Sequence, residues 1–448
     1  MINRILLLVG CTLILMSASL YNGFPIVTSD TGAYINMGFE FRIPYDRPPY
    51  YGLFIRLSSL WTSLWYPVVI QCMIAALLLS QLTKLMFINS AFYKKCTMLS
   101  LLAIASFTCL PWVLGQLMPD AFTGILLMAV ILFYLKKHTI VSYGCYAAII
   151  FLSLLFHSSH VLIIFCLSAC IIVFGLKRNW QPMVRKSAAI FCLGLAVVLL
   201  SCTVSYIKGH GFRFSRGSHV FLMGRLGETG ILKKYLDENC SGNSYKLCEV
   251  KDDIQGRAWE FIWSDNGPFH KSGGWENSKA EYDAIIKGVL TDPEYLSLFI
   301  QKSVISTLRQ LTQVTLPEKF PALSYGSSPA NSVKFYFEDE ITEYNTSLQN
   351  SGNLEGRFFN QLYFLFFLAT SLIIIYKYRT LLNEQDIKIY CIVIVFLVCN
   401  AFVTACFANV LDRLQHRVFW VLPAVNVILL LRRLIEIRSK KLATQTLS

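Results

Sequence analysis

The residues equipped for chemistry gather at the ends of apolar runs. Asp30, Asp46 and Arg47 follow the first run, and Asp120 opens the fourth. His157 and His160 lie between the fifth and sixth, and Lys208, His210, Arg213 and Arg216 follow the seventh. Asp412, Arg413, His416 and Arg417 lie between the ninth and tenth. Ionisable groups beside membrane-length apolar segments are costly, which makes them functional candidates. Carboxylates can take a proton from a hydroxyl nucleophile or hold a divalent cation. Arginines and histidines can hold a phosphate and stabilise the charge on a departing one. Transfer from a lipid phosphate to a hydroxyl needs both sets. Plainer roles compete at each position. Asp30, beside Ser29, and Asp120, after Pro119, suit helix N-caps. The two histidines suit exposed carbonyls at a tight hairpin, and Arg413 and Arg417 suit lipid headgroups.

Composition says what must carry these residues. The 448-residue chain is 55% hydrophobic and only 15% charged, against roughly 25% charged in soluble domains. The chain therefore reads as an all-α polytopic membrane protein. Ten stretches approach the roughly 20 apolar residues that cross a bilayer: 5–22, 65–86, 97–114, 120–135, 141–157, 160–176, 187–206, 358–376, 388–409 and 417–432. The first has signal-peptide features but no A-x-A site, and is read as an anchor.

The net charge of +13 suits nucleic acid in a soluble protein, but here its distribution is topogenic. Arg4, Lys84, Lys94, Lys95, Lys136, Lys137, Lys177, Arg178, Arg185, Lys186, Lys377, Arg379, Lys388 and the tail Arg432, Arg433, Arg438, Lys440 and Lys441 all fall on one side. The hairpins PWVLGQLMPD and HSSH opposite carry no Lys or Arg. Both termini are then cytoplasmic. Nucleic acid is set aside as a partner. The organisation is a membrane module over 1–206 with an outer loop at 23–64, an outward, mainly helical insert over 207–357, and a second membrane module over 358–448. The only two cysteines in the insert's polar part, Cys240 and Cys248, face an oxidising compartment and are expected to pair. The segment 293–313 reads as an amphipathic helix opened by Asp292 and Pro293, packed on its own domain or on the membrane surface.

With Asp30, Tyr34 and the segment RPPYYGLF (Pro48, Pro49, Tyr50) in its first outer loop, the chain resembles the GT-C superfamily of integral-membrane glycosyltransferases. LMPDAF, with Asp120 opening a helix, resembles the second acidic position of that fold. The resemblance covers roughly the first 180 residues, and the layout is similar to bacterial enzymes that glucosylate O-antigen. Two features depart from it. Asp30 is followed by Thr31 and forms no Asp-Glu pair, and the large insert precedes the last three spans. The resemblance implies a polyprenyl-phosphate sugar donor, a glycan, lipid or protein acceptor, and a bacterial inner-membrane location. Asp30 and Asp120 would then be catalytic, or ligands of Mg or Mn if a divalent cation takes part. Tyr34, Asp46, Arg47, His157, His160, Arg213, Arg216, Arg413, His416 and Arg417 would bind substrate.

Two other functions compete. An O-antigen-type polymerase or ligase also has a large outer loop with Arg and His, but does not depend on a first-loop Asp. A transporter places charges midway along broken helices, whereas here they sit at helix ends. The topology is checked by cysteines introduced into a Cys-less background. Positions 300 and 345 are expected to react with an impermeant thiol reagent in intact cells and position 182 to stay unlabelled; labelling at 182 overturns the orientation.

Overall fold

A computed structural model describes residues 2–87, 92–136, 139–254 and 256–445. Lys137, one of the basic residues used for orientation, lies outside them, as do the side chains of Arg4, Lys440 and Lys441. Among the described residues the elements are helical, with two isolated β-bridges and no strand.

The chain begins with α1 (Ile2–Leu15), α2 (Ser17–Asn22), α3 (Thr31–Glu40) and α4 (Tyr50–Ser58). There follow α5 (Trp65–Met86), α6 (Tyr93–Phe107), α7 (Leu110–Leu114), α8 (Ala121–Leu135), α9 (Ile140–Phe156), α10 (Ser158–Lys177) and α11 (Gln181–Ile207). The insert carries α12 (Ser218–Glu228), α13 (Ile231–Asn239), α14 (Ala258–Trp263), α15 (Pro268–Lys271), α16 (Gly274–Asn277) and α17 (Lys279–Thr291). It ends with α18 (Pro293–Thr312), α19 (Ser328–Tyr336) and α20 (Ile341–Thr346). Last come α21 (Arg357–Ile373), α22 (Glu384–Phe407), α23 (Asp412–Phe419) and α24 (Val421–Gln445).

Six helical runs among the described residues are long and apolar enough to cross a membrane: α5, α10, α11, Arg357–Leu381, α22 and Asp412–Arg438. Shorter apolar helices occupy Ile5–Leu15, Ala121–Leu135 and Ile140–Phe156. All ten expected stretches are largely helical, but among the described residues only those six reach membrane length. The 97–114 stretch divides at Thr108, whose backbone is extended, and Pro111 sits in the first turn of the short α7. The first stretch loosens at Met16, where hydrogen bonds to Thr12 O and from Leu20 N still continue the helix, and closes at Gly23, which takes φ 80° to cap α2. That left-handed conformation is one only glycine adopts freely.

The bundle is built around α8. It is apolar on every face, as a helix without a solvent side must be, and residues 121–134 are all buried. α5, α9, α22 and α23 pack around it. At the end of the bundle away from Asp120, Arg432 of α24 donates to Asp386 of α22 at 2.9 Å and to the carbonyl of Met86 at 3.1 Å. Asp386 is wholly buried, so this pair joins the feet of α5, α22 and α24.

The insert divides in two, which the sequence reading of 207–357 as one unit did not anticipate. Residues 220–295 form a core of their own around Met223, Leu232, Phe261, Phe269, Tyr282 and Ile285. Residues 316–354 instead join the main core, where Tyr344 meets Phe24 edge to face at 5.4 Å. The reason is polar as well as apolar: the Gln349 side chain accepts from Val27 N at 3.0 Å and donates to Val27 O at 2.8 Å. α18 ties the insert core to the main bundle. Tyr295, Leu298 and Phe299 face the insert core, while Gln310 exchanges two hydrogen bonds with the backbone of Leu411 just past α22. Of the stripe expected on this helix, Ile300, Val304 and Leu308 remain exposed.

Cys240 and Cys248 are joined by a disulfide, with Cα atoms 5.8 Å apart. Closing so short a loop stabilises by about 2–3 kcal/mol in the chain-entropy model. Replacing both cysteines by serine is expected to raise amide exchange across residues 220–295 by the corresponding factor and to leave α8 and α22 unchanged. Hydrogen-exchange mass spectrometry measures both.

Candidate functional site

Asp30 and Asp120 both stand at helix N-caps, of α3 and α8, yet neither side chain caps its helix. Their carboxylates are taken by arginines instead. Arg47 Nη2 donates to Asp30 Oδ1 at 3.0 Å, and Arg413 Nη1 donates to Asp30 Oδ2 at 3.1 Å. Arg417 Nη1 donates to Asp120 Oδ1, and Arg413 Nε lies 3.6 Å from Asp120 Oδ2. Arg413 therefore touches both carboxylates. It can do so because it lies one turn before Arg417, and residues four apart share a helix face.

Each arginine is fixed by further contacts. Arg47 Nε donates to Asp46 at 2.6 Å, and its guanidinium lies 5.0 Å from the Tyr34 ring centre. Tyr34 in turn meets Tyr51 of α4 edge to face. Arg417 donates to Asn400 Oδ1 at 3.1 Å and to Ser159 Oγ at 3.3 Å, with His157 Nε2 at 3.4 Å. Its side chain is 0% exposed, whereas that of Arg413 is 36% exposed. Arg417 therefore does not snorkel to headgroups; it is the buried counter-ion of Asp120.

Three carboxylates thus face three guanidiniums. Burial alone would raise the Asp30 carboxyl, but the charges and hydrogen bonds of Arg47 and Arg413 outweigh it and hold the group below the usual carboxylate range. Donor capacity is left over: among the described residues Arg47 Nη1 and Arg413 Nε are buried and make no hydrogen bond. The same donors argue against a resident divalent cation. A Mg or Mn ion on Asp30 and Asp120 would lie against three guanidiniums that already bond to three of the four oxygens, Asp120 Oδ2 alone making no hydrogen bond, and the described residues hold no group of three or more His, Cys, Asp or Glu arranged for a metal. The residues do not fit one.

The remaining candidates divide. His160 is fully engaged, Nε2 to Thr123 Oγ1 at 2.8 Å and Nδ1 to Ser153 O at 2.7 Å, so it fastens α10 to α8 and α9. His416 is buried against the carbonyl of Thr315 at 2.9 Å, and Asp412 accepts from Thr315 N at 3.1 Å. Both hold the chain after α18 and do not reach the carboxylates. Arg213 and Arg216 line a cavity beside the site together with Arg47, Tyr45, Tyr50, Ser205 and Leu155. Arg216 also donates to Ile43 O at 2.8 Å and stacks on Tyr45 at 3.7 Å, with Trp275 stacked on the same ring at 5.5 Å. Lys208 is exposed, and neither it nor His210 lines that cavity.

Sequence reasoning missed Asn400, Ser159 and Trp275. A signal existed for the first, since an amide inside an apolar span already invites a partner.

No protein-family model, curated protein or solved structure matches this chain. The site therefore rests on its own geometry, an all-helical scaffold presenting interlocked carboxylates and guanidiniums.

Removing one partner of a buried ion pair costs about 3–5 kcal/mol, whereas replacing both by apolar residues is often neutral. Asp120→Ala is expected to lower the detergent-solubilised protein's stability by about that amount. The double substitution Asp120→Leu/Arg417→Met is expected to recover a large part of it. Chemical-denaturation midpoints of the two variants decide the matter.

Proposed function

We propose that the protein is a membrane glycosyltransferase that moves a sugar from a polyprenyl-phosphate donor to a glycan, lipid or protein acceptor. It would lie in a bacterial inner membrane with its termini cytoplasmic and its site outward. The observation that carries this reading is the sharing of Asp30 between Arg47 and Arg413, beside a cavity lined by two more arginines. Guanidiniums with spare donors suit a phosphate, which they bind through paired hydrogen bonds. The apolar residues of the cavity, Leu154, Leu155, Pro48 and Val204, suit the first units of a lipid tail.

The chemistry follows from competition for those donors. An arriving donor phosphate draws Arg47 and Arg413 off Asp30, and the carboxylate, relieved of two positive partners, becomes a stronger base. It accepts the proton of the acceptor hydroxyl. The acceptor oxygen bonds to the anomeric carbon as the bond from that carbon to the phosphate oxygen breaks. The lipid phosphate leaves with its charge held by the arginines. Asp120 takes no proton in this scheme; it keeps Arg417 and Arg413 in place.

A polymerase or ligase acting on a lipid pyrophosphate is favoured by one observation, the two further guanidiniums of Arg213 and Arg216 in the cavity beside the site. It leaves Asp30 dispensable. In proteoliposomes with a polyprenyl-phosphate sugar, Asp30→Asn is expected to lower transfer by about 10²–10⁴-fold, the usual contribution of a positioned general base. Arg413→Ala is expected chiefly to raise KM. Near wild-type transfer by Asp30→Asn removes the main support for a glycosyltransferase.

pH supplies a second check. kcat/KM reports the free enzyme and kcat the loaded one. In the free protein Asp30 stays ionised as pH falls below the usual carboxylate range, so the acid limb of kcat/KM lies below that range. With the guanidiniums drawn to phosphate, the acid limb of kcat is expected at higher pH. Coincident limbs would show that the arginines do not leave Asp30.

A further inference from the structure

The last turn of α4 and the turn that follows it expose three large apolar side chains, while Leu64 before α5 is buried. Leu57 is 74% exposed, Leu60 68% and Trp61 61%, with Phe41 and Tyr66 exposed beside them. Leu60 and Trp61 are consecutive, and both have positive φ, 51° and 63°; Phe41 has φ 54°. Bulky residues with positive φ are outliers. Such strain persists only where the surroundings fix it, and it tends to mark functional positions. Here the surroundings are specific. The Arg56 guanidinium lies 4.4 Å from the ring centres of both Phe41 and Trp61, and its Nη1 donates to Gly38 O and Phe39 O, each at 3.2 Å. Glu340 accepts from Ser63 Oγ and from Leu64 N, pinning the end of the turn. Leu57, Leu60 and Trp61 are left with exposed surface while the backbone beneath them is fastened.

What covers these side chains is set by what the turn adjoins. α5 begins at Trp65, four residues after Trp61, and is long and apolar enough to cross a membrane. A turn capping such a helix lies at the level where the bilayer meets water, the level tryptophan and tyrosine favour. Arg42 pairs with Glu40 and Arg56 is held by its rings and carbonyls, so the apolar side chains carry the contact.

We propose that Leu57, Leu60 and Trp61 form an anchor inserted into the bilayer interface on the site side. The anchor also sets the height of the site. α3 and α4 are in backbone contact, because Gly38 and Gly52 pack so closely that a Cβ on either would strike the other helix. α3 carries Tyr34 and is preceded by Asp30, and Arg47 lies three residues before α4. A lipid contact at Leu60 therefore fixes how far these groups stand above the membrane. The proposal requires α5 to span the bilayer and is independent of which reaction the site performs.

The full-length chain in nanodiscs of phosphatidylethanolamine and phosphatidylglycerol, carrying a diazirine amino acid at one position, tests it. On irradiation, position 60 is expected to give phospholipid adducts within about twofold of position 77, on the exposed side of α5, and about tenfold above position 325, on the exposed loop before α19. Leu60→Gly/Trp61→Gly suits the left-handed backbone and keeps the fold. In that background, lipid adducts from a probe at 57 are expected to fall about fivefold. Yields at 60 no higher than at 325, adducts to a second copy of the chain in place of lipid, or an unchanged yield at 57 in the glycine variant would each overturn the anchor.

Discussion

A buried arginine needs an acid beside it, and for Arg417 that acid is Asp120. Two charges leave water together only when paired and hydrogen-bonded, so α23 must lie with its inner face on the start of α8. Everything near the site follows from that placement. Arg413, one turn earlier on α23, is carried over Asp120 to Asp30. Asp30 in turn receives Arg47 from the first loop, and Arg47 brings Asp46 and Tyr34. Asn400, Ser159 and His157 complete the shell around Arg417, so α9, α10 and α22 are registered against the same guanidinium.

The first loop is held from its other side by the insert. Tyr45 lies between the Arg216 guanidinium and the Trp275 ring, and a Cβ on Gly217 would collide with both Tyr45 O and Trp275. The glycine is needed for close approach, not for its φ. Through this clasp, the half of the insert with its own core meets the loop that carries Arg47. The half without one belongs to the membrane body.

Much of this was legible in the sequence for a simple reason: a chain so poor in charge displays each charge it keeps. Asp30, Asp120, Arg413 and Arg417 stood out because they interrupt or border apolar runs. Their pairing was not legible, since 383 residues separate Arg413 from Asp30 and local patterns do not report on distant neighbours. Capping, the plainer role for both aspartates, is what their positions suggest and what their side chains do not do. His160 and His416 looked like site residues because imidazoles beside apolar runs can hold a phosphate, but each is engaged by a backbone carbonyl. Six of the ten expected stretches are long and apolar enough to span among the described residues, and hydropathy alone does not see Thr108 interrupt one of the others. The division of the insert was hidden because Gln349, which draws 316–354 into the main core, is an ordinary polar residue until it meets Val27.

That last contact governs the order in which the protein can be made. Val27 N and O bond to the side chain of a residue 322 positions later, and Asn22 meets Leu348 and Gln349 alongside. Until residue 349, more than three-quarters of the way along the chain, has been made, the strap between α2 and α3 is held on one side only, by Ile26 against Gly115 and Leu117, and Val27 lacks its partner. The backbone N–H and C=O of Val27 must therefore wait, hydrated or escorted, for the second half of the insert to be made. A chain truncated before residue 349 lacks more than its last spans; it never seals its own beginning.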